Sequence, residues 1–257
     1  MSPPTRDWDA ATYDRISDPQ VAMAVPVLDR LRLRGDETVL DAGCGSGRVT
    51  RLLLDRLPQG SVIAVDAAPS MVAQTRAAFA DEARVEVLDP VDLQELVVDE
   101  LVDAAFSNAV FHWVLDHEAL FESLFAALKP GGRLVAQCGG EGNIDRLRTI
   151  AREVGEEEPY AAHLAGWSDP WNYSSPEEAR LRLERAGFDE IETWLEPWPV
   201  SPPEPLEYLR AVCLGHHVAA LPEELRTPYV EAIAAHGDDP LKLDYVRLNI
   251  AARRPAM

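Results

Sequence analysis

Short apolar runs alternate with amphipathic stretches through the first half of the chain. Thr38–Leu40 runs into Asp41, Val62–Val65 into Asp66, Val85–Leu88 into Asp89, Val102–Phe106 towards Asn108, and Arg133–Cys138 completes the series. Runs of four to eight apolar residues bounded by turn residues read as buried strands. Between them, Val49, Leu52, Leu53 and Leu57 recur at helical spacing. Pro69 suits the first position of a helix through Ala80. Leu120, Leu124 and Leu128 form the apolar face of a further helix, which Lys129-Pro130-Gly131-Gly132 should end. Ahead of all these, Val21, Val25, Leu28 and Leu31 mark a helix, with Pro26 as a point of kinking.

Buried strands alternating with helices predict an α/β fold, a doubly wound and mostly parallel sheet. The acids and Asn108 at the strand ends should line one rim, where such sheets bind ligands. Residues 139–235 read differently, as a mainly helical cap over about 143–155, 176–186, 205–220 and 222–236. One core strand interrupts the cap near 188–195, and Leu241–Ala252 reads as a last strand. The predicted organisation is a helical lid segment over 1–34, a core over 35–138, the cap over 139–235 and the last core strand within 236–257.

The balance of 44 acids against 24 bases, net charge −20, disfavours a phosphate-backbone partner and favours a small molecule. No apolar run approaches the roughly 18 residues of a membrane-spanning helix. The opening MSPPTRDWDA is too polar for a secretory signal. Cys44, Cys138 and Cys213 form neither a CxxC pair nor a disulfide framework, so a cytoplasmic setting is expected. His216 and His217 are neighbours and do not face one way on a helix, so no metal site is expected. Oligomeric state stays open.

The chemistry concentrates after the first strand, in Asp41-Ala42-Gly43-Cys44-Gly45-Ser46-Gly47. Glycines allow positive φ and close backbone approach, and a helix start offers free N–H groups. A dinucleotide fingerprint needs G-x-G-x-x-G, but its third glycine would fall on Arg48 or Thr50. The spacing here is G-x-G-x-G with an acid two residues ahead. Asp66, one strand over, can accept ribose hydroxyls, the role an acid plays at this place in dinucleotide folds.

This loop resembles the first motif of class I S-adenosylmethionine-dependent methyltransferases. The runs Ser107-Asn108-Ala109-Val110-Phe111-His112-Trp113 and Leu128-Lys129-Pro130-Gly131-Gly132-Arg133-Leu134 are similar to the trans-aconitate methyltransferase-like branch. Trp8–Tyr13 and Leu248–Arg254 also resemble its two ends. The resemblance implies a seven-stranded Rossmann-like fold with S-adenosylmethionine as cofactor and S-adenosylhomocysteine as product. It implies Asp41 at the cofactor's ammonium, with Gly43, Cys44 and Gly45 presenting N–H groups to the methionyl end. Asp66 and Ala67 would hold the ribose; Met71, Asp89, Pro90 and Val91 would hold the adenine. Asn108 and Ala109 would line the methionyl side, Tyr13 and Gln20 would fold over the cofactor, and His112 and Trp113 would stand near the methyl.

The implied reaction is methyl transfer to an oxygen of a small molecule. For a hydroxyl acceptor His112 would act as general base, with Tyr13 also near the reacting groups; a carboxylate, ionised at pH 7, needs no base. His112 could equally cap the following helix or satisfy a core carbonyl. Arg15, Arg146, Arg148 and Arg180 are candidate partners for an anionic acceptor. The tryptophans Trp167, Trp171, Trp194 and Trp198 point to an acceptor more apolar than a tricarboxylate. Transfer to nitrogen, carbon or a carrier-bound acyl group, and binding without turnover, are the alternatives. A nicotinamide oxidoreductase is disfavoured by Arg48 and Thr50.

Overall fold

The computed structural model describes residues 15, 18–237 and 240–256. Tyr13 and the Trp8–Tyr13 motif lie outside them. Seven strands form one sheet: β1 (Thr38–Ala42), β2 (Ser61–Val65), β3 (Val85–Val87), β4 (Val102–Asn108), β5 (Leu128–Gly139), β6 (Asp189–Pro197) and β7 (Val246–Arg253). Their order is β3-β2-β1-β4-β5-β7-β6. The first five are parallel, and β7 runs antiparallel to β5, with Gly139 opposite Arg247 and Gln137 opposite Asn249. The fold is the Rossmann-like α/β fold expected.

Strand side chains alternate between two cores. Leu40, Ala42, Ile63, Val65 and Ala105 pack on one face. Val39, Val62, Ala104 and Phe106 pack on the other with Leu53, Leu54 and Leu57. A strand buried on both faces favours apolar residues at successive positions, hence the near-continuous apolar runs, and the few buried polar residues in them stand out.

The helices are α1 (Asp18–Arg30), α2 (Arg48–Asp55), α3 (Pro69–Ala78), α4 (His117–Ala127), α5 (Asp145–Gly155), α6 (Ala161–Leu164), α7 (Pro176–Ala186), α8 (Pro205–Tyr208), α9 (Gly215–Ala220) and α10 (Glu223–Ala235). Asp116 caps α4, its carboxylate accepting the N–H groups of Glu118 and Ala119. Ser175 and Glu178 form a capping box on α7.

Three expectations change. Helix α1 runs through Pro26 and buries Met23, Ala24, Val27 and Leu28, while Val25 is exposed. Leu28 and Leu31 of the expected face are buried, but Met23, Ala24 and Val27 complete the inner face in place of Val25. The Lys129–Gly132 turn lies within β5, because the strand already pairs at Leu128 with Val102 before a register shift. The third change concerns the cap. Residues through Glu141, Trp171–Glu196 and Arg247 onwards form one compact unit; Gly142–Pro170 and Pro197–Val246 form another. Helix α7 and strand β6 therefore belong with the sheet, because the strand that β6 provides needs its connecting helix packed nearby. The second unit carries α5, α6 and α8–α10, joined by a bridge between Val200 and Leu243.

Candidate functional site

The sheet order reverses between β1 and β4, the switch point where open α/β sheets bind ligands. The glycine loop leaves β1 there. A Cβ on Gly43, at φ +88°, would stand 2.2 Å from Val110 Cγ2, so only glycine fits. Gly45, at φ +55°, has open space where its Cβ would be.

The loop amides are not turned towards a ligand as expected. Gly43 and Cys44 donate to Val65 O (2.8 and 2.9 Å), and Gly45 donates to Asp66 Oδ2 (3.0 Å). The end of β2 takes these donors, so Gly43 and Gly45 contribute clearance rather than hydrogen bonds. Asp66 Oδ1 accepts the N–H of Ala68 (2.9 Å). Burial raises its pKa, opposed by the N–H groups of Ala68, Gly45 and Ala67. The carboxylate keeps lone-pair capacity beyond these N–H groups for a ligand hydroxyl.

Two buried acids flank β1 and differ in their partners. Burial pushes Glu37 up, but the N–H groups of Arg34 and Gly35 and the Arg133 guanidinium outweigh it and hold the pKa near about 2. Asp41, 1% exposed, accepts one hydrogen bond, from Thr50 Oγ1 (2.6 Å). Burial, aided by the nearby Asp66 charge, raises its pKa to about 7. Among the described residues no basic side chain forms an ion pair with Asp41. Glu37 is a satisfied structural acid; Asp41 is short of a cation.

A cavity of about 50 Å³ opens beside Asp41, lined also by Gln20, Gly43, Gly45, Ser46, Asn108 and Arg48, whose guanidinium pairs with Asp18. Asn108 donates through Nδ2 to Gln20 O (3.0 Å), tying β4 to α1. Its Oδ1 is buried without a hydrogen-bond partner. A desolvated carboxylate and an orphaned amide oxygen around one small cavity fit an ammonium group. Ala109 follows at φ +62°, its N–H donating to Gln137 O (2.7 Å). A left-handed alanine at a strand end is a strained position of the kind found at ligand sites.

The adenine candidates sit farther along the rim. Val91 donates to Asp66 O (3.1 Å), spending the amide expected to meet the ring. Asp89 is exposed and pairs with Arg76 (2.7 Å), Pro90 is exposed, Ala67 is half-buried, and Met71 is buried.

His112 and Trp113 lie in a 3₁₀ turn, Phe111–Trp113, after β4. Nδ1 of His112 accepts the N–H of Gly139 at 3.2 Å. Burial first, then the charges of Arg247 and His117, lowers its pKa well below the ordinary value. The ring is neutral with Nδ1 occupied, so its proton sits on Nε2. His112 therefore presents a donor, not the free lone pair of the expected base. Asp116, not His112, caps α4, and among the described residues the ring bonds no carbonyl. Trp113 and Tyr173 flank it, with ring centroids at 5.1 and 5.7 Å. Trp171 stacks on Tyr173 at 5.6 Å and 10°.

Two of the four expected arginines are engaged through their side chains. Arg148 pairs with Asp145 and Asp169. Arg180 pairs with Glu184 and donates to Ile191 O. Arg15 is exposed, and the Arg146 N–H donates to Asp244. The cation beside His112 is Arg247, 2% exposed, whose Nε donates to Gln137 Oε1 at 3.4 Å. The sequence carries little signal for it, because the same strand also holds Asn249 and Arg253. Among the described residues no His, Cys, Asp and Glu cluster could hold a metal, and no helix is long and apolar enough to cross a membrane.

Residues 39–132 match a family model described as a methyltransferase domain. The chain is 32% identical over 190 residues to trans-aconitate 2-methyltransferase of Methylobacterium nodulans, covering 74% of this chain and 67% of that protein. It is 30% identical to the Azoarcus sp. protein of the same name, covering 89% and 88%. Haemonchus contortus phosphoethanolamine N-methyltransferase 2, solved with S-adenosyl-L-methionine, shares the fold at TM-score 0.63 and 17% identity, over 96% of this chain and 56% of that one. The sheet and its glycine loop thus define a class I methyltransferase, an enzyme that uses S-adenosylmethionine. Within that class, the chain belongs to the trans-aconitate 2-methyltransferase family.

Proposed function

We propose that this enzyme methylates a carboxylate oxygen of a small organic acid. The observation that carries the reading is the hydrogen bond from Gly139 to His112 Nδ1. An alcohol or phenol acceptor has to lose a proton, and the neutral His112 ring has no lone pair to take it. A carboxylate arrives ionised and benefits from a donor at its side. The relatives named trans-aconitate 2-methyltransferase support the same acceptor chemistry.

When bound, S-adenosylmethionine supplies an electrophilic methyl on a sulfonium. Asp41 and Asn108 Oδ1 hold the ammonium of its amino-acid end, with Gly43, Cys44 and Gly45 giving that end room. Gln20 closes the pocket from α1. Asp66 accepts the ribose hydroxyls while it fixes the turn at Ala67 and Ala68. Met71 and the Asp89-Pro90-Val91 turn face the adenine. Ala109 shapes the wall beside the methyl, and Trp113 keeps water from it. The protein's part in the reaction is alignment and desolvation, and alignment of two bound reactants supplies about 7–11 kcal/mol.

The test is calorimetry with S-adenosylmethionine and S-adenosylhomocysteine, then an acceptor panel read by product mass spectrometry. The panel holds trans-aconitate, apolar carboxylic acids, phenols and amines. Methyl esters are the expected products. Methylation confined to phenols or amines overturns the reading.

A further inference from the structure

We propose that Arg247 and the Nε2–H of His112 form the receptor for the acceptor's carboxylate, and that Trp113, Trp171 and Tyr173 form a wall for a planar, conjugated carbon skeleton. The inference rests on the carboxylate-methylation reading and names the residues and acid class behind it.

The sheet register brings the two donors together. Arg247 stands opposite Gly139 across the β5–β7 pair, and the Gly139 N–H holds His112 Nδ1. One strand end thus fixes both the position of the imidazole and the neighbouring guanidinium. Gln137 restrains the guanidinium through Nε, and Asn249, next on the same face of β7, in turn accepts from Gln137 Nε2 at 2.8 Å. An arginine braced in this way loses little freedom on meeting a carboxylate, and its planar fork suits one. Withdrawn from water, it attracts an anion more strongly than an exposed arginine does.

The charge of the chain sharpens the assignment. A surface with net charge −20 repels organic anions, so an acid needs a local cation at the site. The wall completes the selection. Trp113 and Trp171 stand 5.9 Å apart, Trp171 and Tyr173 are parallel, and all three are half-buried. Flat rings at this spacing accept a conjugated skeleton by stacking. A buried cation beside an apolar wall favours a monocarboxylate with a conjugated skeleton over a tricarboxylate.

The experiment compares trans-cinnamate with its neutral isostere trans-cinnamamide, and with trans-aconitate, by calorimetry on the full chain saturated with S-adenosylhomocysteine. Wild type should bind cinnamate about 10- to 100-fold tighter than cinnamamide, the range for hydrogen bonds to a charged group. Arg247→Gln should bring the ratio close to one and leave S-adenosylhomocysteine affinity unchanged. Trp171→Ala should weaken both ligands together. If Arg247→Gln is unfolded by circular dichroism, Arg247→Lys carries the test, with an intermediate ratio expected. No acid preference in wild type, a ratio unmoved in the folded variant, or aconitate bound more tightly than cinnamate overturns the proposal. Ester formation is scored separately. Ester formation with an acid preference independent of Arg247 rejects the receptor and keeps the reaction; acid-selective binding through Arg247 without ester formation does the reverse.

Discussion

Gly139 and His112, 27 residues apart, are joined by a backbone N–H that points into Nδ1 of the imidazole. This one bond settles the tautomer of a neutral ring and makes His112 a donor. Replacing His112 with Gln keeps a donor there. For a carboxylate acceptor, kcat/KM should fall less than about 10-fold, against the roughly 100- to 10,000-fold cost of removing a general base. With S-adenosylmethionine saturating, so that Asp41 does not enter, the wild-type pH–rate profile for the acceptor should lack an inflection near 6.5, since burial drives the ring's titration well below that. Steady-state kinetics between pH 5.5 and 8 checks both.

Asp41 should trade stability for binding. Its native pKa, about 7, lies above the ordinary carboxylate value, so the native state holds the proton more tightly. The resulting stabilisation is complete below about pH 4 and is lost as pH rises through 7. Asp41→Asn keeps the acceptor for Thr50 and removes the buried charge. At pH 8 the cofactor-free variant should melt at least about 2 °C higher, on the scale of 1 kcal/mol for a chain this long, with little change at pH 4. Thermal scans at the two pH values decide it.

The same acid should make cofactor affinity depend on pH. Binding an ammonium requires ionised Asp41, so S-adenosylhomocysteine should bind more weakly as pH falls below 7, by up to about tenfold per unit. Above 7 the Asp41 contribution should be flat. In Asp41→Asn the dependence should vanish and affinity should drop about 10- to 100-fold. Calorimetric titrations from pH 5.5 to 8 would expose a pH-independent affinity, which contradicts the assignment.

Two glycines of one loop should respond differently. Gly43→Ala drives a methyl into Val110 at positive φ and should cost several kcal/mol or prevent folding. Gly45→Ala meets open space and should cost about 1–2 kcal/mol, the left-handed penalty alone. Chemical denaturation of both variants separates close packing from backbone conformation.

Asp66→Ala should act twice. It frees the N–H groups of Gly45 and Ala68 and removes the proposed ribose partner. Cofactor affinity should fall by about 1–3 kcal/mol, the scale for leaving polar groups unpaired. An unchanged Kd would place the ribose elsewhere.

Much of this was legible in the chain, and what was not has physical causes. Strands buried on both faces leave largely apolar runs, so β1, β2 and β4 read directly, as do Asp41, Asp66 and Asn108 at their ends. The Asp41–Gly47 spacing identified the cofactor class because few loops combine an acid with three alternating glycines. The amides of that loop misled, since their capture by Val65 and Asp66 depends on how closely β2 approaches. His112 could not be assigned without Gly139, whose proximity arises only from β4–β5 pairing. Arg247 was hidden for a similar reason. An arginine in a strand carries no sign of burial until its register partner is known. Return of Trp171–Glu196 to the sheet unit was masked by its charged and aromatic composition, which resembles the surrounding cap.

The Trp171–Tyr173 segment contributes rings beside His112, yet none of the residues assigned to the cofactor lies in it. Selection can therefore rewrite this short stretch, exchanging one acid for another, without retuning the machinery that delivers the methyl. A lineage built this way would diversify its chemistry through a few codons far from its most recognisable motif.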